Sequence, residues 1–546
     1  MSQLIVPPDF ATSSIAPTTQ PTLPTSTGLK PTPQQQAFLN ALTDTTSNIV
    51  LQARAGCGKT SAILMGVDAY LARFPSREVL VCAYNKAIQT EVDEKLRARG
   101  YDWRQVSCQT VHSLGYSLLK YTYRPKIEED KVWKILDEIR DHEPRTHPLW
   151  QFAPAINQLV GLAKQQGVGF FDDLPIGDRG VWYDIADHFD VGSFEPGIDM
   201  DQVVTWAEKI YRHSLDITDE IDFNDMTLLP LIKGMRVKFR KDLILGDECQ
   251  DWSRVRQAIV RMFLKVPDGR LAAVGDDKQA IYGFSGADAR ALDNMTRDLA
   301  ADVYPLSVTW RCPKSVVTLA NQIVPDLEAA ESAPEGEVLR QNTLPTQAEK
   351  TARELPASTI CLEDLVPGRD AILCRNTAPL VSLAYQIIRA GIPAKVEGRK
   401  LGEGLRELVQ RWTVKTTDRL RIKLLDFRER EMARWSAKGK EDKAAEVEDR
   451  VGTVLCIVEE CERRGKHDVE SVIQFIDRLF GDNVTGAVVL ATYHRSKGRE
   501  WDRVLLFEHY GRCPSKAARQ EWQKVQEANL AYVAFTRAKK TLVFVG

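Results

Sequence analysis

The run Asn48-Ile49-Val50-Leu51-Gln52-Ala53-Arg54-Ala55-Gly56-Cys57-Gly58-Lys59-Thr60 decides how the rest of the chain is read. An apolar, β-branched stretch (Ile49, Val50, Leu51) stops at a turn of small residues, and a helical pattern then runs from Lys59 through Met65. Strand, turn and helix in that order make a phosphate-cradling loop. Small residues let the backbone curl so that successive N–H groups face an anion, and the helix N-terminus adds partial positive charge. The backbone of Ala55, Gly56, Cys57, Gly58, Lys59, Thr60 and Ser61 is expected around a nucleoside triphosphate. The Lys59 ammonium would reach the β and γ phosphates, and the Thr60 hydroxyl would hold Mg²⁺. Ala53 stands where the pattern usually opens with glycine, so the tight turning falls to Gly56 and Gly58.

The chain has 546 residues, too many for one core, and three or four domains are expected. A hydrophobic fraction of 43% with 27% charged residues is an ordinary globular composition. No apolar run of about eighteen residues is present, and no basic-then-apolar leader opens the chain. A cytoplasmic protein without membrane contact is expected, or a nuclear one in a eukaryote. Ten cysteines without CxxC pairs read as reduced thiols rather than structural zinc. The net charge of −2 leaves nucleic acid neither favoured nor excluded, because a basic channel fits within a neutral whole.

Residues 1–28 are rich in Pro, Ser and Thr and too poor in apolar groups to offset ordering, so a disordered tail is expected. Thr32-Pro33 opens a helix ahead of the phosphate-loop strand. A second apolar strand, 79–84, ends at Asn85-Lys86, and a third strand end is marked by Thr110-Val111-His112-Ser113. Strand ends carrying polar and aromatic residues are where an α/β sheet exposes its binding edge. From 116 to 218 the periodicity turns helical, as at Val132, Ile135, Leu136 and Ile139. The α/β rhythm resumes with Leu243-Ile244-Leu245-Gly246-Asp247-Glu248, whose Asp247 is 188 residues beyond Lys59, so a helical subdomain is expected inside the first α/β unit. The plan repeats downstream. Strands at 371–374 and 487–492 flank a helical stretch in which Val447, Val451, Val454 and Val458 recur on one face. The expected division is a tail (1–28), a first core (29–115 and 219–302) with insertion 116–218, and a second core (303–398 and 487–546) with insertion 399–486. The fold class is α/β, with parallel sheets flanked by helices.

Asp247 and Glu248 end an apolar strand, where adjacent carboxylates divide the work of nucleotide hydrolysis. The first binds the Mg²⁺ shell and the second polarises the attacking water. A solvated acidic turn is the bland alternative, and the phosphate loop upstream argues against it. Arg311, in Thr309-Trp310-Arg311-Cys312-Pro313, and Arg537, in Ala534-Phe535-Thr536-Arg537-Ala538, fall in the second α/β region. A planar guanidinium suits the charge that builds on a γ-phosphate, and a second domain could close over nucleotide by this means. Taken alone, each arginine is more often a surface ion pair.

The order of these motifs resembles that of superfamily 1 DNA helicases of the UvrD/Rep/PcrA type, over 29–546 apart from the two insertions. Gln34 with Ala37 resembles the family's adenine-reading motif, and Ala53–Thr60 its phosphate loop. Tyr84-Asn85-Lys86-Ala87 and Thr110-Val111-His112-Ser113-Leu114-Gly115 look like motifs Ia and Ib. Asp222-Phe223-Asn224-Asp225-Met226 resembles the segment that re-enters the first core. Asp247–Asp251 is similar to motif II, with Cys249 for the usual alanine, and Gly275–Asp288 to motif III. Trp310-Arg311 stands at motif IV, 492–501 at motif V and 530–538 at motif VI. The Tyr-Asn-Lys form of motif Ia and the modest second insertion lean toward the F-box DNA helicase branch, although no F-box-like segment is apparent.

The resemblance implies two RecA-like cores using ATP and Mg²⁺, with Thr60 and Asp247 at the metal. It implies Gln34 reading adenine, Trp310 stacking on it, Glu500 on the ribose, Gln279 sensing the γ-phosphate, and Arg311 and Arg537 as arginine fingers. Single-strand contacts would fall on Tyr84, Asn85, Lys86, Thr110, His112, Tyr282, Phe284, Thr492, His494 and Lys497. Aromatic side chains at strand ends stack on successive bases, worth about 1–3 kcal/mol per base and indifferent to sequence. Phe284 stands for the family's tryptophan and Ser285 for its arginine, so a weaker grip or lower processivity is expected. Outside this context Tyr84 and Phe284 would read as core aromatics, and His112 and His494 as satisfied polar residues. The mixed-sign helix around Arg419–Glu431 could touch duplex DNA but reads more readily as a solvated face. Alkylation of Cys57 is expected to block nucleotide binding.

The activity so implied is an ATP-dependent helicase or translocase moving 3′→5′ on single-stranded DNA and unwinding tailed duplexes, in replication, repair or recombination. It is expected to be monomeric when free and to lack a nuclease domain after motif VI. A translocase that strips proteins without unwinding, and a non-hydrolysing ATP-gated DNA-binding protein, are the alternatives. An RNA substrate stays open, since stacking does not read the 2′-hydroxyl.

Overall fold

The computed structural model describes residues 30–144, 147–191, 198–283, 286, 290–436, 441–480, 486–516, 518 and 520–546. The expected tail (1–28) and Phe284 lie outside the described residues. Two six-stranded sheets organise the chain.

The first sheet comprises β1 (Ile49–Ala53), β2 (Val79–Ala83), β3 (Val106–Thr110), β4 (Leu243–Gly246), β5 (Arg270–Gly275) and β6 (Asp302–Leu306). They run in the order β3-β2-β4-β5-β1-β6, with every pairing parallel. Strands β2, β4 and β5 are buried along their whole length, which is why they read as continuous apolar runs rather than alternating ones. One expected boundary moves. Residues 303–306 were assigned to the second core, but Asp302–Leu306 pairs with β1 from Ile49 to Ala53 and closes the edge of the first sheet. An edge strand tolerates Pro305, whose missing N–H would break a central ladder.

The first helical insertion packs helices Lys131–Arg140, Pro148–Gln166, Arg179–His188 and Met200–Asp216 around Trp182, which is fully buried edge-on to Tyr211. A short parallel pair, Lys126–Ile127 with Glu220–Ile221, brings its ends together. Lys131 Nζ donates to Asp225 Oδ2 (2.7 Å) and Lys164 Nζ to Asp222 Oδ2 (2.7 Å), all four side chains buried. Paired charge at this depth fixes the insertion to the re-entering helix Phe223–Ile232, since either partner alone would be left as an uncompensated buried charge.

The second sheet comprises β7 (Glu337–Gln341), β8 (Asp370–Cys374), β9 (Ala394–Val396), β10 (Val488–Thr492), β11 (Trp501–Phe507) and β12 (Ala538–Val545), in the order β7-β12-β11-β8-β10-β9 and again all parallel. Its insertion holds helices Arg399–Gln410, Thr417–Ser436, Glu441–Arg463 and Val469–Phe480, with Val451, Val454 and Val458 fully buried on the inner face. On Thr417–Ser436, Arg421 pairs with Glu459 and Glu462, and Arg428 with Glu448. These charges are spent within the insertion, as a solvated helical face requires.

The helix Glu521–Phe535 lies in the seam between the sheets. Its Leu530, Val533 and Ala534 belong to one apolar cluster that also holds Leu51 and Val274 of the first sheet and Leu373 and Leu542 of the second. The C-terminal ends of β1 and β5 reach this seam, the usual place for ligands in open parallel sheets, and Glu500 and Arg537 face it from immediately before β11 and β12.

Candidate active site

The phosphate loop forms as its residue types require. Gly56 (φ +73°) and Gly58 (φ +80°) take left-handed backbone, and a Cβ on Gly56 would lie 2.5 Å from Thr309 Oγ1 and 2.6 Å from Arg311 Cβ. Trp310 N donates to Gly56 O (3.0 Å), so the Thr309–Arg311 segment is laid against the loop. Lys59 opens the following helix, and its Nζ donates to Glu248 Oε1 (2.6 Å). Burial works against the Lys59 charge, but Glu248, Asp247 and Asp276 outweigh it and raise its pKa. Burial likewise pushes Glu248 up, yet Lys59 and Lys497 hold it well below the usual carboxylate range. Asp247, fully enclosed beside that charge, is pushed up by burial and by Glu248. The adjacent carboxyls therefore differ in role: Glu248 is a charged acceptor on the cation that would meet a γ-phosphate.

Gln279 stands next to this pair, its Nε2 donating to Asp276 Oδ2 (2.6 Å). Arg537, from the second half of the chain, is 1% exposed and reaches Gln279 Oε1 with Nη2 (3.5 Å). Burial and the like charge of Arg311 lower its pKa, an arrangement that an incoming polyanion would relieve. Arg311 donates to Glu500 Oε2 (2.6 Å) and to Thr536 O (3.5 Å). Glu500 and Arg311, expected on ribose and γ-phosphate, are thus engaged with each other. The Trp310 ring is 59% exposed, leaving a face for stacking.

Two glutamines are placed differently from the sequence expectation. Gln34 is tied at both ends to Ser307, donating to Oγ (2.8 Å) and accepting from N (2.9 Å). Gln35 is the one against the phosphate loop, its Nε2 3.3 Å from a Cβ placed on Gly58. Its signal was present: Thr32 with Gln35 three residues on is a capping box, which holds that side chain at the helix N-terminus. Cys57 is buried, and burial together with Asp276 raises its thiol pKa well above the ordinary value. A thiolate is the reactive form, so alkylation of Cys57 is expected to be slow.

Of the expected single-strand residues, Tyr84, Tyr282 and His494 meet at the same seam. Tyr84 and Tyr282 stack on each other (6.1 Å, 14°), and the Tyr282 hydroxyl donates to His494 O (3.5 Å). Asn85 and Lys86 are exposed at the start of helix Lys86–Ala98, where Asn85 Oδ1 caps Ile88 N. Thr110 Oγ1 caps helix Val111–Thr122, and Thr492 precedes helix Tyr493–Ser496. His112 meets the half-exposed Phe223 edge-on (6.2 Å, 83°). Burial and Arg256 lower the His112 pKa to about 4. Burial, Arg375, Arg495 and Lys497 lower that of His494 to about 3. Both rings are neutral at pH 7, in surroundings rich in guanidinium and ammonium groups. Lys497 is a correction: its ammonium is buried between Asp251 Oδ2 (2.7 Å) and Gln279 O (2.7 Å), where it braces the sheets and has no open side for a phosphate. A cavity of about 190 Å³ beside Tyr282 is walled by Gly283, Trp522, Gln526 and Asn529.

Three residues of this site escaped the sequence reading. Tyr532 accepts from Ala55 N (2.9 Å), Arg54 meets three carboxylates, and the charge of Arg256 acts on both His112 and Tyr84. Their partners are remote in sequence, so no local pattern marks them.

Residues 32–167 and 194–300 match the UvrD/REP helicase N-terminal domain, and 401–545 match the UvrD-like helicase C-terminal domain. The F-box DNA helicase protein 1 of Schizosaccharomyces pombe is 24% identical over 95% of this chain and 58% of its own length. The ATP-dependent DNA helicase UvrD2 of Mycobacterium tuberculosis is 24% identical over 90% of this chain and 75% of its own. UvrD1 of the same organism is 26% identical over 38% of this chain and 30% of its own. The chain therefore spans little more than half of the fission-yeast relative.

Proposed function

Because the chain belongs to the UvrD/REP helicase family, we propose that it is an ATP-driven motor that moves 3′→5′ along single-stranded DNA and opens tailed duplexes. The observation that carries this reading is a composite site. Lys59, Glu248 and Gln279 come from the first sheet's strand ends, and Arg311 and Arg537 come from segments that continue into or end in the second sheet.

The residues present suit a Mg²⁺-bound triphosphate. Gly56 and Gly58 give the loop the left-handed backbone that turns it, Thr60 and Asp247 offer a hydroxyl and a carboxyl, and Lys59 already neutralises an anion in Glu248. Thr60 and Asp247 would hold the Mg²⁺, which when bound offsets charge between the β and γ phosphates. A γ-phosphate competes with Glu248 for the Lys59 ammonium. Glu248 so released is free to orient water and take its proton. Arg311 gives up Glu500, and Arg537 stays at Gln279, so both guanidinia face the transferring group while water is excluded by burial. Closing and reopening this site moves one sheet relative to the other, and Tyr84, Tyr282 and His494 lie where that motion is felt.

Service in replication, repair or recombination, and a monomeric free state, belong to the same proposal. The test uses duplexes carrying 3′ or 5′ single-stranded tails, with wild type and Lys59→Ala. Unwinding of the 3′-tailed substrate alone, lost in Lys59→Ala, is expected. Preference for the 5′ tail overturns the polarity, and activity surviving the substitution overturns the motor.

A further inference from the structure

We propose that Arg54, inside the phosphate loop, is a positioning residue that links nucleotide hydrolysis to the relative position of the two sheets; this rests on the motor reading above. An arginine here is unexpected on physical grounds, because the loop's task is to expose backbone N–H groups, and a long cation buried beneath it needs compensating partners.

Arg54 has three. It is 5% exposed, and its Nη1 donates to Asp276 Oδ1 (3.0 Å) and to Asp277 Oδ1, which also accepts from Gln52 Nε2 (2.9 Å). Its Nε and Nη2 both donate to Asp326 Oδ2 (2.9 and 2.8 Å). The partners belong to different parts of the machine. Asp276 and Asp277 follow β5 of the first sheet, whereas Asp326 lies after helix Lys314–Ala320, on the chain's way into the second sheet.

The shared carboxylate gives this cluster its consequence. Asp276 Oδ1 is held by Arg54, and Asp276 Oδ2 is held by Gln279 Nε2, whose own Oε1 meets Arg537. A continuous polar chain thus runs Asp326–Arg54–Asp276–Gln279–Arg537, leaving the second half of the molecule at one end and returning to it at the other. Asp276 is fully buried; without Arg54 its carboxyl would lose one of the two cations beside it. The Gln279 amide would then be held by a rotated or protonated acid. Displacement of Asp326 when the sheets move acts on the same carboxylate through the Arg54 fork, which a planar, bidentate guanidinium transmits and a flexible ammonium transmits less well.

The test compares wild type, Arg54→Ala, Arg54→Lys and Asp326→Asn. Two quantities are read: steady-state ATP turnover (kcat and KM) with single-stranded DNA, and affinity for a fluorescent non-hydrolysable ATP analogue. Arg54→Ala is expected to lower kcat by roughly 100-fold, the cost of a misplaced reacting group, while analogue affinity changes less than about threefold. Arg54→Lys should recover part of that loss, and Asp326→Asn should show a milder drop of about tenfold in kcat. Equal loss of kcat and analogue affinity in Arg54→Ala would mean that the arginine only holds the loop's shape, and overturns the proposal. So does kcat within about twofold of wild type. Should Arg54→Ala fail to fold, Asp326→Asn decides, and an unchanged kcat there overturns it. Wild type without DNA-stimulated hydrolysis overturns the motor reading and this one together, whereas active wild type with unaffected variants overturns this one alone.

Discussion

At the scale of single residues, the site works by occupying its cations before nucleotide arrives. Lys59 is held by Glu248 and Arg311 by Glu500, so neither charge is left bare in a site where an unpaired ion would be costly. Glu248→Gln removes both the anion that occupies Lys59 and the base for water. Hydrolysis is expected to fall by roughly 10²–10⁴-fold, with analogue binding kept or tightened because Lys59 no longer has a competitor. Single-turnover hydrolysis beside an analogue titration checks this, and hydrolysis within about tenfold of wild type would remove Glu248 from the role. The histidines give a pH prediction. Burial lowers the pKa of His112 and of His509 to about 4 and of His494 to about 3, with nearby cations contributing at His112 and His494. In the unfolded chain each titrates near pH 6.5 (about the model-peptide value). Between those limits the unfolded chain binds protons that the folded chain does not, so stability falls as pH falls below about 6.5 and is insensitive to these groups above it. Melting temperatures from pH 7.5 to 5 should decline on the acid side, and His509→Gln should flatten the slope. A slope unaltered in that variant would show that His509 is protonated in the folded state.

At the scale of elements, the Glu521–Phe535 helix does the joining. Tyr532 sends its hydroxyl across the seam to accept from Ala55 N, within the phosphate loop of the other sheet. Tyr532→Phe keeps the ring's packing and leaves that buried N–H unpaired, at a cost of about 1–3 kcal/mol. The denaturation midpoint should drop accordingly, and an unchanged midpoint would mean that water serves Ala55 as well as the phenol does. Such pairs also mark the limit of what the sequence discloses. Short apolar strands ending in Gly-Lys-Thr, Asp-Glu or Tyr-Asn-Lys are legible because parallel strands buried on both faces must be continuously apolar and must end where ligands bind. The strands that lead into the phosphate loop and into the Asp247–Glu248 turn were readable for that reason, and the helices between them by their own 3.6-residue period. Residues 303–306 were misassigned because an edge strand, exposed along much of its length and carrying Pro305, lacks that signature. Gln35 went unremarked because adjacent glutamines differ only in helical phase, which the Thr32 cap sets. Lys497 read as a single-strand contact because an unpaired lysine and one buried against an aspartate 246 residues away look the same in sequence.

At the scale of the whole molecule, the two sheets share a core. Leu51 and Val274 lie in the same apolar cluster as Leu373 and Leu542, and Lys497 and Tyr532 fasten the seam with polar contacts. A hinge that opened fully in every cycle would expose that shared surface to water, at about 25 cal/mol per Å² of apolar area. The geometry therefore favours small closing motions about a packed seam over wide separation. It follows that the sheets should lose structure together on heating. A single calorimetric transition is expected, and a non-hydrolysable ATP analogue at 100 times its Kd should stabilise it by about 2.7 kcal/mol, since ligand binds only the folded form. Lys59→Ala, which removes the ammonium at the γ-phosphate, should lose most of that shift while retaining one transition. Two transitions, of which the analogue raises only one, would show that the sheets fold and bind as separate units. Nucleotide would then have no mechanical purchase on the second half of the chain through the shared core. The polar links at Arg54, Lys497 and Tyr532 would have to carry the coupling alone.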